Sequence, residues 1–339
     1  MLQKLPSCPF CGKHRVVRHG FSKLKRSRRR RYRCRPCGRS FCTTTGSVYH
    51  RLQCSQNKFD MACALSMEGT NKSAIARLLK VTWNTVARWL SRAAAAAKHF
   101  NDKKLKDFHV QEVQADEIRT FIGSKSRPTW IIVAIAVGSR LWPSLVLGRR
   151  TYRNIRALFT DLFKRAQMSE VPLITTDGYN RYTLALKHLL KGACLYGQVV
   201  KTRRKDRVVA VDRKVLIGTD RAMAVALENS EDSEKLNTSF IERLNLTIRR
   251  CSAYLHRRSP AHAREGEHLK AHLDLLQCYY NFIRPHGALK FGREIRTPAM
   301  QAGLVTKPLT FRQIFTAVLF WAWICSSFRS HLRPVSNNG

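Results

Sequence analysis

Acidic residues are scarce in this chain. Only 22 of its 339 residues are Asp or Glu, against 62 Lys or Arg, and the formal net charge is +40. The first acidic residue is Asp60, whereas 14 Lys or Arg stand in the first 50 positions. A surplus of this size exceeds what solubility requires and indicates a polyanionic partner. Because the charge runs along the whole length and the apolar content is ordinary, we expect a folded nucleic-acid-binding protein of two or three domains.

Long apolar segments are also lacking. The first residues, MLQKLPSCPFCG, contain no apolar core of a secretory signal. The longest apolar run, residues 315–328, is shorter than the roughly 20 residues that span a bilayer. We therefore expect no membrane partner, a cytoplasmic and nucleoid-associated location, and a buried or partner-facing helix in an apolar tail at residues 311–339.

Eleven cysteines in a chain of this kind do not predict a disulfide framework. Four of them form two Cys-x-x-Cys pairs, each followed by glycine, on either side of a basic loop. Each such turn places two thiolates on one side of a tight loop, and two turns complete a tetrahedral zinc site. We predict a zinc-ribbon module over residues 1–50, with one structural Zn²⁺ bound by Cys8, Cys11, Cys34 and Cys37.

The loop between the cysteine pairs, KLKRSRRRRYR, carries the densest positive charge of the chain. We expect it to contact DNA phosphates, and the alternative is a solvated basic face. The predicted DNA-binding residues of this loop are Arg28, Arg29, Arg30, Arg31 and Arg33.

Two apolar runs at helical spacing follow, separated by the short segment KVTWNT. Their members are Ile75, Leu78 and Leu79, then Val86, Trp89 and Leu90. With Thr82 as a cap for the second helix, the pattern predicts a helix-turn-helix over residues 55–97, and an ordinary helical hairpin is the alternative. Trp83, Asn84 and Arg88 would then face DNA, and we interpret residues 98–107 as a linker.

Beyond residue 108 the pattern changes to strands. Three successive strands, a helix over residues 152–167 and the short buried strand VPLITTDG predict a mixed α/β sheet. Asp116 lies within the first strand and Asp177 at the end of the last one. A mixed sheet can bring the two together, and a bound Mg²⁺ would remove the cost of burying them. For either residue alone, a surface or capping aspartate is the alternative.

Glu242 is the third candidate ligand. It stands near the start of a helix capped by Asn237 or Thr238, with Asn245 and Arg249 on the same face. One carboxylate, one amide and one guanidinium offer a metal ligand beside two donors for DNA phosphates. The alternative is a surface ion pair between Glu242 and Arg243, Arg249 or Arg250.

These motifs carry a family resemblance. The segments ADEIRTFIGSKSRPTW, ITTDGY and FIERLNLTIRR, preceded by the cysteine pairs and the helix-turn-helix, resemble the DDE transposases of bacterial insertion sequences, of the insertion-sequence-one kind. The resemblance implies an RNase H-like fold over residues 108–310. The long basic stretch between Asp177 and Glu242 departs from the family pattern, and we interpret it as an insertion at about 195–235. The resemblance also implies that Asp116, Asp177 and Glu242 are catalytic and hold two Mg²⁺ or Mn²⁺ ions. Because the insertion separates Asp177 from Glu242, Glu228, Glu231 and Glu234 stay alternatives for the third ligand.

The sequence therefore predicts a multidomain transposase: a zinc ribbon, an all-α helix-turn-helix and an α/β catalytic domain. The protein would bind the inverted repeats at the ends of a mobile element and catalyse metal-dependent cleavage and strand transfer. Joining two ends requires a homodimer or a larger synaptic complex. Two alternatives remain, a related nuclease or resolvase that cuts without joining, and a DNA-binding regulator or decayed transposase without activity.

Overall fold

The amino-terminal module is a small antiparallel sheet on which the cysteines converge. The computed structural model describes residues 5–24, 27–205, 207–230, 232–256 and 261–317. Strands β1 (Val16–Leu24), β2 (Ser27–Cys34) and β3 (Ser40–Cys42) pair in that order. Gly12 and Gly38, which follow the two cysteine pairs, have φ of 70° and 67°, a backbone conformation that favours glycine. The apolar core of this module is confined to Cys8, Val16, Cys34 and Phe41.

Three helices follow, α1 (Gln56–Met67), α2 (Lys72–Leu79) and α3 (Trp83–Lys104). The predicted cap is confirmed, because the Thr82 side chain accepts a hydrogen bond from the Thr85 amide at the start of α3. The turn between α2 and α3 passes through Lys80, which has φ of 50° and closes α2 in the left-handed conformation. Of the apolar residues expected inside, Leu78 is 64% exposed and does not belong to the core.

The interpretation of residues 98–107 as a linker is wrong, because α3 continues without a break to Lys104. The alanines at positions 93–97 favour helix, and Phe100 and Asn101 are buried farther along the same helix. Asn101 Nδ2 donates to Asp274 O (3.0 Å) and Gln277 Oε1 (3.1 Å) on a later helix. One hydrophobic core therefore includes the three helices and the following α/β region.

The α/β region contains a mixed six-stranded sheet in the order β6-β5-β4-β7-β8-β9. Strand β7 is parallel to both β4 and β8, and the remaining pairs are antiparallel. Its strands are β4 (Phe108–Ile122), β5 (Ser124–Ala136), β6 (Leu141–Gly148), β7 (Ala166–Thr176), β8 (Leu195–Arg204) and β9 (Arg207–Ile217). Helix α4 (Tyr152–Arg165) connects β6 to β7, and α5 (Arg181–Leu190) connects β7 to β8. The mixed sheet expected from the sequence is thus present.

Residues 195–204, at the start of the predicted insertion, form strand β8 of the sheet. Strand β8 pairs in parallel with β7, and its residues Tyr196 and Val199 are buried. Apolar side chains at these positions make β8 an integral part of the sheet. What projects from the sheet is the outer part of the β8–β9 hairpin, followed by α6 (Asp220–Glu228).

The remaining helices cover the sheet and return to the helical module. They are α7 (Ser239–Arg250), α8 (Gly266–Cys278), the four-residue α9 (Pro298–Gln301) and α10 (Phe311–Ala317), with a short β10–β11 pair at Lys290–Phe291 and Glu294–Ile295. Helix α7 packs on β4 and β5, and α8 packs on α3.

Residues 311–317, the described part of the predicted apolar tail, form helix α10. Helix α10 packs against α1 and α3, and Phe311, Ile314 and Phe315 are buried. Residues 318–339 lie outside the part that the structure describes. Within the described part, no helix combines the length and the hydropathy needed to cross a membrane.

We predict that α10 stabilises the helical module. Phe315 is fully buried, and its ring centroid lies 5.8 Å from that of Phe59 and 6.2 Å from that of Tyr49. Phe315→Ala should lower the free energy of unfolding by about 3–5 kcal/mol, because it leaves a cavity among aromatic rings. Phe291→Ala, at an exposed phenylalanine, is the control and should cost less than about 1 kcal/mol. Equal losses in urea unfolding would contradict the packing of α10.

Candidate active site

Two acidic residues meet on neighbouring parallel strands of the sheet. Asp116 lies in β4, and Asp177 directly follows the last residue of β7. In the register of this parallel pair, Ala115 of β4 lies opposite Thr176 of β7. Asp116 and Asp177 are therefore the next residues on two adjacent strands that run in the same direction.

Glu117 joins these two aspartates. Within the described residues, carboxylate oxygens of Asp116, Glu117 and Asp177 lie within 4.8 Å of one another, a spacing that can hold a metal ion. The Glu117 side chain is only 1% exposed. Burial raises its pKa, and the bidentate ion pair with Arg150 opposes that effect. Three acids so close together repel one another, and the site needs cations.

Arg150, just beyond β6, supplies one of those cations. Its Nε and one terminal nitrogen each lie 3.0 Å from an oxygen of Glu117, and the same terminal nitrogen lies 3.1 Å from Asp177 Oδ2. The guanidinium also lies over two rings, 3.8 Å from the centroid of Tyr179 and 5.1 Å from that of Trp130. An open cavity of about 960 Å³ adjoins Arg150 and Trp130.

The electrostatics of the site are most evident at Asp116. Burial raises its pKa to about 7, and the negative charges of Asp177, Glu117 and Glu242 act in the same direction. Asn245 Nδ2 on α7 donates a hydrogen bond to Asp116 Oδ2 (2.8 Å). A carboxylate that is costly to ionise in the protein alone is one that a divalent cation would stabilise strongly.

Glu242 lies in the first turn of α7 but outside the group of three acids. Its carboxylate accepts a hydrogen bond from Thr238 Oγ1 (2.7 Å) and forms an ion pair with Lys201 of β8. The side chain is 49% exposed. Glu242 thus has an ion-pair partner in a lysine of the β8–β9 hairpin. The structure therefore brings Asp116 and Asp177 together and leaves Glu242 at the edge of the site.

The start of α7 is held by the sheet. Gln114 on β4 accepts hydrogen bonds from the backbone amides of Phe240 (3.1 Å) and Ile241 (3.2 Å). Thr238 occupies the cap position without a side-chain cap bond, whereas Asn237 Oδ1 accepts from the Ser239 amide (3.1 Å). This anchoring fixes the face that presents Asn245 to Asp116; Arg249, farther along α7, is half-buried.

The donor set suits a hard divalent cation. Oxygen ligands from carboxylates are those that Mg²⁺ and Mn²⁺ prefer, and the short distances among the acids allow shared coordination. Of the alternative third ligands, Glu228 closes α6 and Glu234 follows it. Neither belongs to a group of metal-binding acids in the described part of the chain, and Glu231 lies outside that part.

The four cysteines form a second candidate metal site. Their sulfur atoms lie within 4.8 Å of one another, with 3.6 Å between Cys8 and Cys37 and 3.5 Å between Cys11 and Cys34. Burial raises the pKa of Cys8, but the backbone amides of Phe10 and Cys11 outweigh it and lower the pKa to about 7. Four sulfur ligands in a cluster of this size fit tetrahedral Zn²⁺.

The predicted DNA-binding arginines of strand β2 differ in exposure. Arg28, Arg30, Arg31 and Arg33 are exposed, and the Arg30 guanidinium lies 4.2 Å from the ring centroid of Phe21. Arg29 is half-buried and donates to Thr44 Oγ1 (3.0 Å). Arg29 therefore ties β2 to the loop that follows the ribbon, whereas the other four are accessible to phosphates.

The start of α3 is also accessible. Trp83 is its first residue and is 49% exposed, and Asn84 and Arg88 are exposed as well. Lys72 Nζ lies 5.1 Å from the ring centroid of Trp83 and 5.6 Å from that of Tyr254 in the α/β region. The residues predicted to read DNA thus lie at the junction of the helical module with the α/β region.

Three charged residues of the site were not identified from the sequence. Glu117 follows Asp116 directly, and strand alternation predicts opposite faces for adjacent residues, which gave no reason to group them. Arg150 and Lys201 are two of the 62 Lys and Arg residues of the chain, and nothing in the sequence distinguishes them as partners of the acids.

No protein-family model matches the chain, and no curated protein matches it either. Among solved structures, a cryo-EM structure of the piggyBac transposase synaptic complex with hairpin DNA matches with a TM-score of 0.33 and 10% identity. The match covers 87% of this chain and 76% of that one. Similarity at this level decides neither the fold nor the function of this chain.

We predict that zinc holds the ribbon together. Cys34→Ser should remove the metal and expose residues 5–42 to proteolysis, because the small core cannot stabilise the module alone. Cys54→Ser, at a half-buried cysteine outside the cluster, should keep both the metal and the protection. Zinc content by atomic absorption and limited proteolysis provide the measurement. Full zinc content in the Cys34 variant would contradict the assignment.

A second prediction concerns Asp116 and pH. Since its folded pKa of about 7 exceeds its ordinary value of 3.8, its contribution to stability is present at low pH and is lost as pH rises through about 7. In the metal-free protein at pH 8, Asp116→Asn should therefore raise the free energy of unfolding by about 1–2 kcal/mol. The gain should shrink as pH falls below 7.

Asp102 provides the matched control for that experiment. Burial raises its pKa, but its bonds to Lys98 and Arg165 outweigh burial and lower it. Asp102→Asn should therefore lower the free energy of unfolding at pH 8, whereas Asp116→Asn should raise it. Urea unfolding at several pH values measures both variants, and a destabilised Asp116→Asn protein at pH 8 would refute the electrostatic description of the site.

Proposed function

We propose that this protein is a DNA transposase that cleaves the ends of a mobile element and joins them to a target. The observation that carries the proposal is the pair Asp116 and Asp177, which lie side by side on the adjacent parallel strands β4 and β7 in a chain with a net charge of +40. Carboxylates grouped in this way hold divalent cations for phosphodiester chemistry. The basic ribbon and the helical module would supply the DNA binding that such chemistry requires.

The proposed catalytic domain is RNase H-like. Support comes from its topology: three antiparallel strands, β4 to β6, followed by two parallel strands reached through α4 and α5. The acids lie on the central strand β4 and at the end of its parallel neighbour β7. In open α/β sheets, ligands bind beyond the carboxyl ends of the strands. On the motifs described above, we assign the protein to the insertion-sequence-one-like DDE transposases of bacteria.

Asp116, Asp177 and Glu242 are the proposed catalytic acids and the ligands of two Mg²⁺ or Mn²⁺ ions. Asp116 and Asp177 are already grouped, and Asn245 keeps the Asp116 carboxylate oriented through its hydrogen bond. Glu242 is one turn before Asn245 on α7, and its charge already acts on Asp116. A change of side-chain rotamer that breaks the pair with Lys201 would bring Glu242 toward the two aspartates.

The bound ions would supply activation of the attacking oxygen and stabilisation of the leaving oxygen. The chain itself binds and aligns DNA. Trp130 and Arg150 border a cavity large enough for a nucleotide, and Arg127, Arg149 and Lys270 also line it. A 3′-hydroxyl exposed by the first cleavage would remain near the same acids and attack a target phosphodiester. A new bond from the 3′-oxygen to phosphorus would form as the target's own P–O3′ bond breaks, and the target strand would leave with a free 3′-hydroxyl. No covalent enzyme intermediate is required for either step.

DNA recognition is proposed for the ribbon and the helical module. The exposed arginines of β2 and the exposed Trp83, Asn84 and Arg88 of α3 offer phosphate and base contacts to the inverted repeat. Because α3 continues into the core of the α/β region, binding at the repeat would position the catalytic acids directly. We propose that two or more protomers assemble, since two element ends must be joined.

The test is an Mg²⁺-dependent assay on a labelled element-end duplex with a supercoiled target. Asp116→Asn, Asp177→Asn and Glu242→Gln should each lower cleavage and joining by about a thousandfold, because each removes a proposed metal ligand. None of the three substitutions should weaken binding of the duplex in EDTA by more than about twofold. Glu228→Gln is the control and should retain activity.

The same assay separates the alternative functions. Cleavage without joining by the wild type would favour a nuclease or resolvase. Binding without any cleavage would favour a regulator or an inactive transposase. Full activity of Glu242→Gln together with loss of activity in Glu117→Gln would move the third ligand to Glu117, which already lies among the acids.

A further inference from the structure

We propose that Arg150 and Lys201 are exchangeable counter-ions: they neutralise the acids of the metal site in the DNA-free protein and bind DNA phosphates once divalent cations occupy that site. The inference rests on the proposed function and deepens it. It assigns two positioning residues and couples metal binding to DNA binding.

Arg150 occupies the position of a counter-ion. Three of its nitrogen–oxygen contacts, at 3.0, 3.0 and 3.1 Å, go to Glu117 and Asp177, two members of the acidic group. Its side chain is nevertheless 27% exposed, and it borders the open cavity. A guanidinium in this position can move from carboxylate to phosphate without leaving the surface of the site, since both anions accept its bidentate fork.

Lys201 has the same relation to Glu242. It lies on β8 in the projecting hairpin, and its ammonium pairs with the Glu242 carboxylate across the gap between hairpin and helix. Both side chains reach solvent. As long as this pair persists, Glu242 is held at the edge of the site. Release of Lys201 would therefore free a ligand for the metal and a cation for DNA in one step.

Charge makes the exchange favourable. A divalent cation at Asp116 and Asp177 would compete with Arg150 for Asp177 oxygens and would repel both nearby side-chain cations. A DNA phosphodiester placed beside the acids restores negative charge next to those two residues. Metal and DNA should therefore strengthen each other's binding, and this coupling is reciprocal. A purely structural role for the two ion pairs predicts no such coupling.

The chain offers matched controls. Arg149 adjoins Arg150 in sequence, is exposed, and forms no ion pair within the described residues. Lys214 lies opposite Gln198 on the hairpin, whereas Lys201 lies opposite Val211, so the two lysines point to different faces. Arg149→Gln and Lys214→Gln thus remove the same charge as Arg150→Gln and Lys201→Gln without touching the acids.

The first measurement is Mn²⁺ binding to the DNA-free, full-length protein by calorimetry. Arg150→Gln and Lys201→Gln should each bind Mn²⁺ about fivefold or more tightly than the wild type, because a competing cation is removed. The two control variants should match the wild type. Weaker Mn²⁺ binding by both test variants would overturn the inference, since the cations would then be organising the site.

The second measurement is binding of a fluorescent duplex DNA in EDTA and in Ca²⁺. Arg150→Gln and Lys201→Gln should weaken DNA binding in Ca²⁺ by about fivefold or more and leave it unchanged in EDTA. The controls should lose affinity equally in both conditions. Equal losses for the test variants in both conditions would overturn the exchange.

The two levels of the account fail in different ways. Absence of Mn²⁺ binding at Asp116 and Asp177 in the wild-type protein would contradict the proposed function itself. Mn²⁺ binding that neither Arg150→Gln nor Lys201→Gln changes would contradict only the proposed exchange of counter-ions. If Arg150→Gln does not fold because Glu117 is left unpaired, Lys201→Gln decides the result, because its ion pair is at the surface.

Discussion

Mutual repulsion of acids on the two middle strands of the six-stranded sheet is the constraint on which the site depends. The parallel pairing of β4 with β7 puts Asp116 beside Asp177, and Glu117 adds a third carboxylate. Burial of charge at this density is unfavourable unless cations balance it. The raised pKa of Asp116, the bidentate contact of Arg150 and the pairing of Lys201 with Glu242 are all responses to the same local charge. A divalent cation would neutralise these carboxylates more strongly than a single side-chain cation does. This is why we interpret the site as a metal centre.

The second organising feature is the continuous core. Helix α3 begins at the exposed Trp83 and ends among residues that pack on α8, and α10 returns to cover α1 and α3. The exposed residues at the start of α3 are thus linked to the sheet by packed side chains rather than by a flexible connection. In contrast, the ribbon has its own small core and depends on its four cysteines. Recognition by α3 and catalysis would share one rigid body.

Sequence patterns predicted the main elements because they depend on local chemistry. The cysteine spacing, the Thr82 cap and the strand-helix-strand order that ends at Asp177 are all properties of short segments. The prediction of a linker at residues 98–107 was wrong because exposed polar residues of a long helix resemble a loop in sequence. The burial of Phe100 and Asn101 depends on packing against α8, which the local sequence does not show. Glu117, Arg150 and Lys201 were missed for the same reason: their roles depend on contacts across 27 to 41 residues of chain.

The central claim is that the acids on β4 and at the end of β7 form a divalent metal site. Anomalous scattering from crystals of the full-length protein grown with Mn²⁺ and duplex DNA tests it most directly. The account predicts Mn²⁺ peaks between the carboxylates of Asp116 and Asp177, with Glu242 turned away from Lys201 toward the metal. Crystals that show no anomalous peak at these two aspartates, with Arg150 and Lys201 still paired to the acids beside bound DNA, would contradict it.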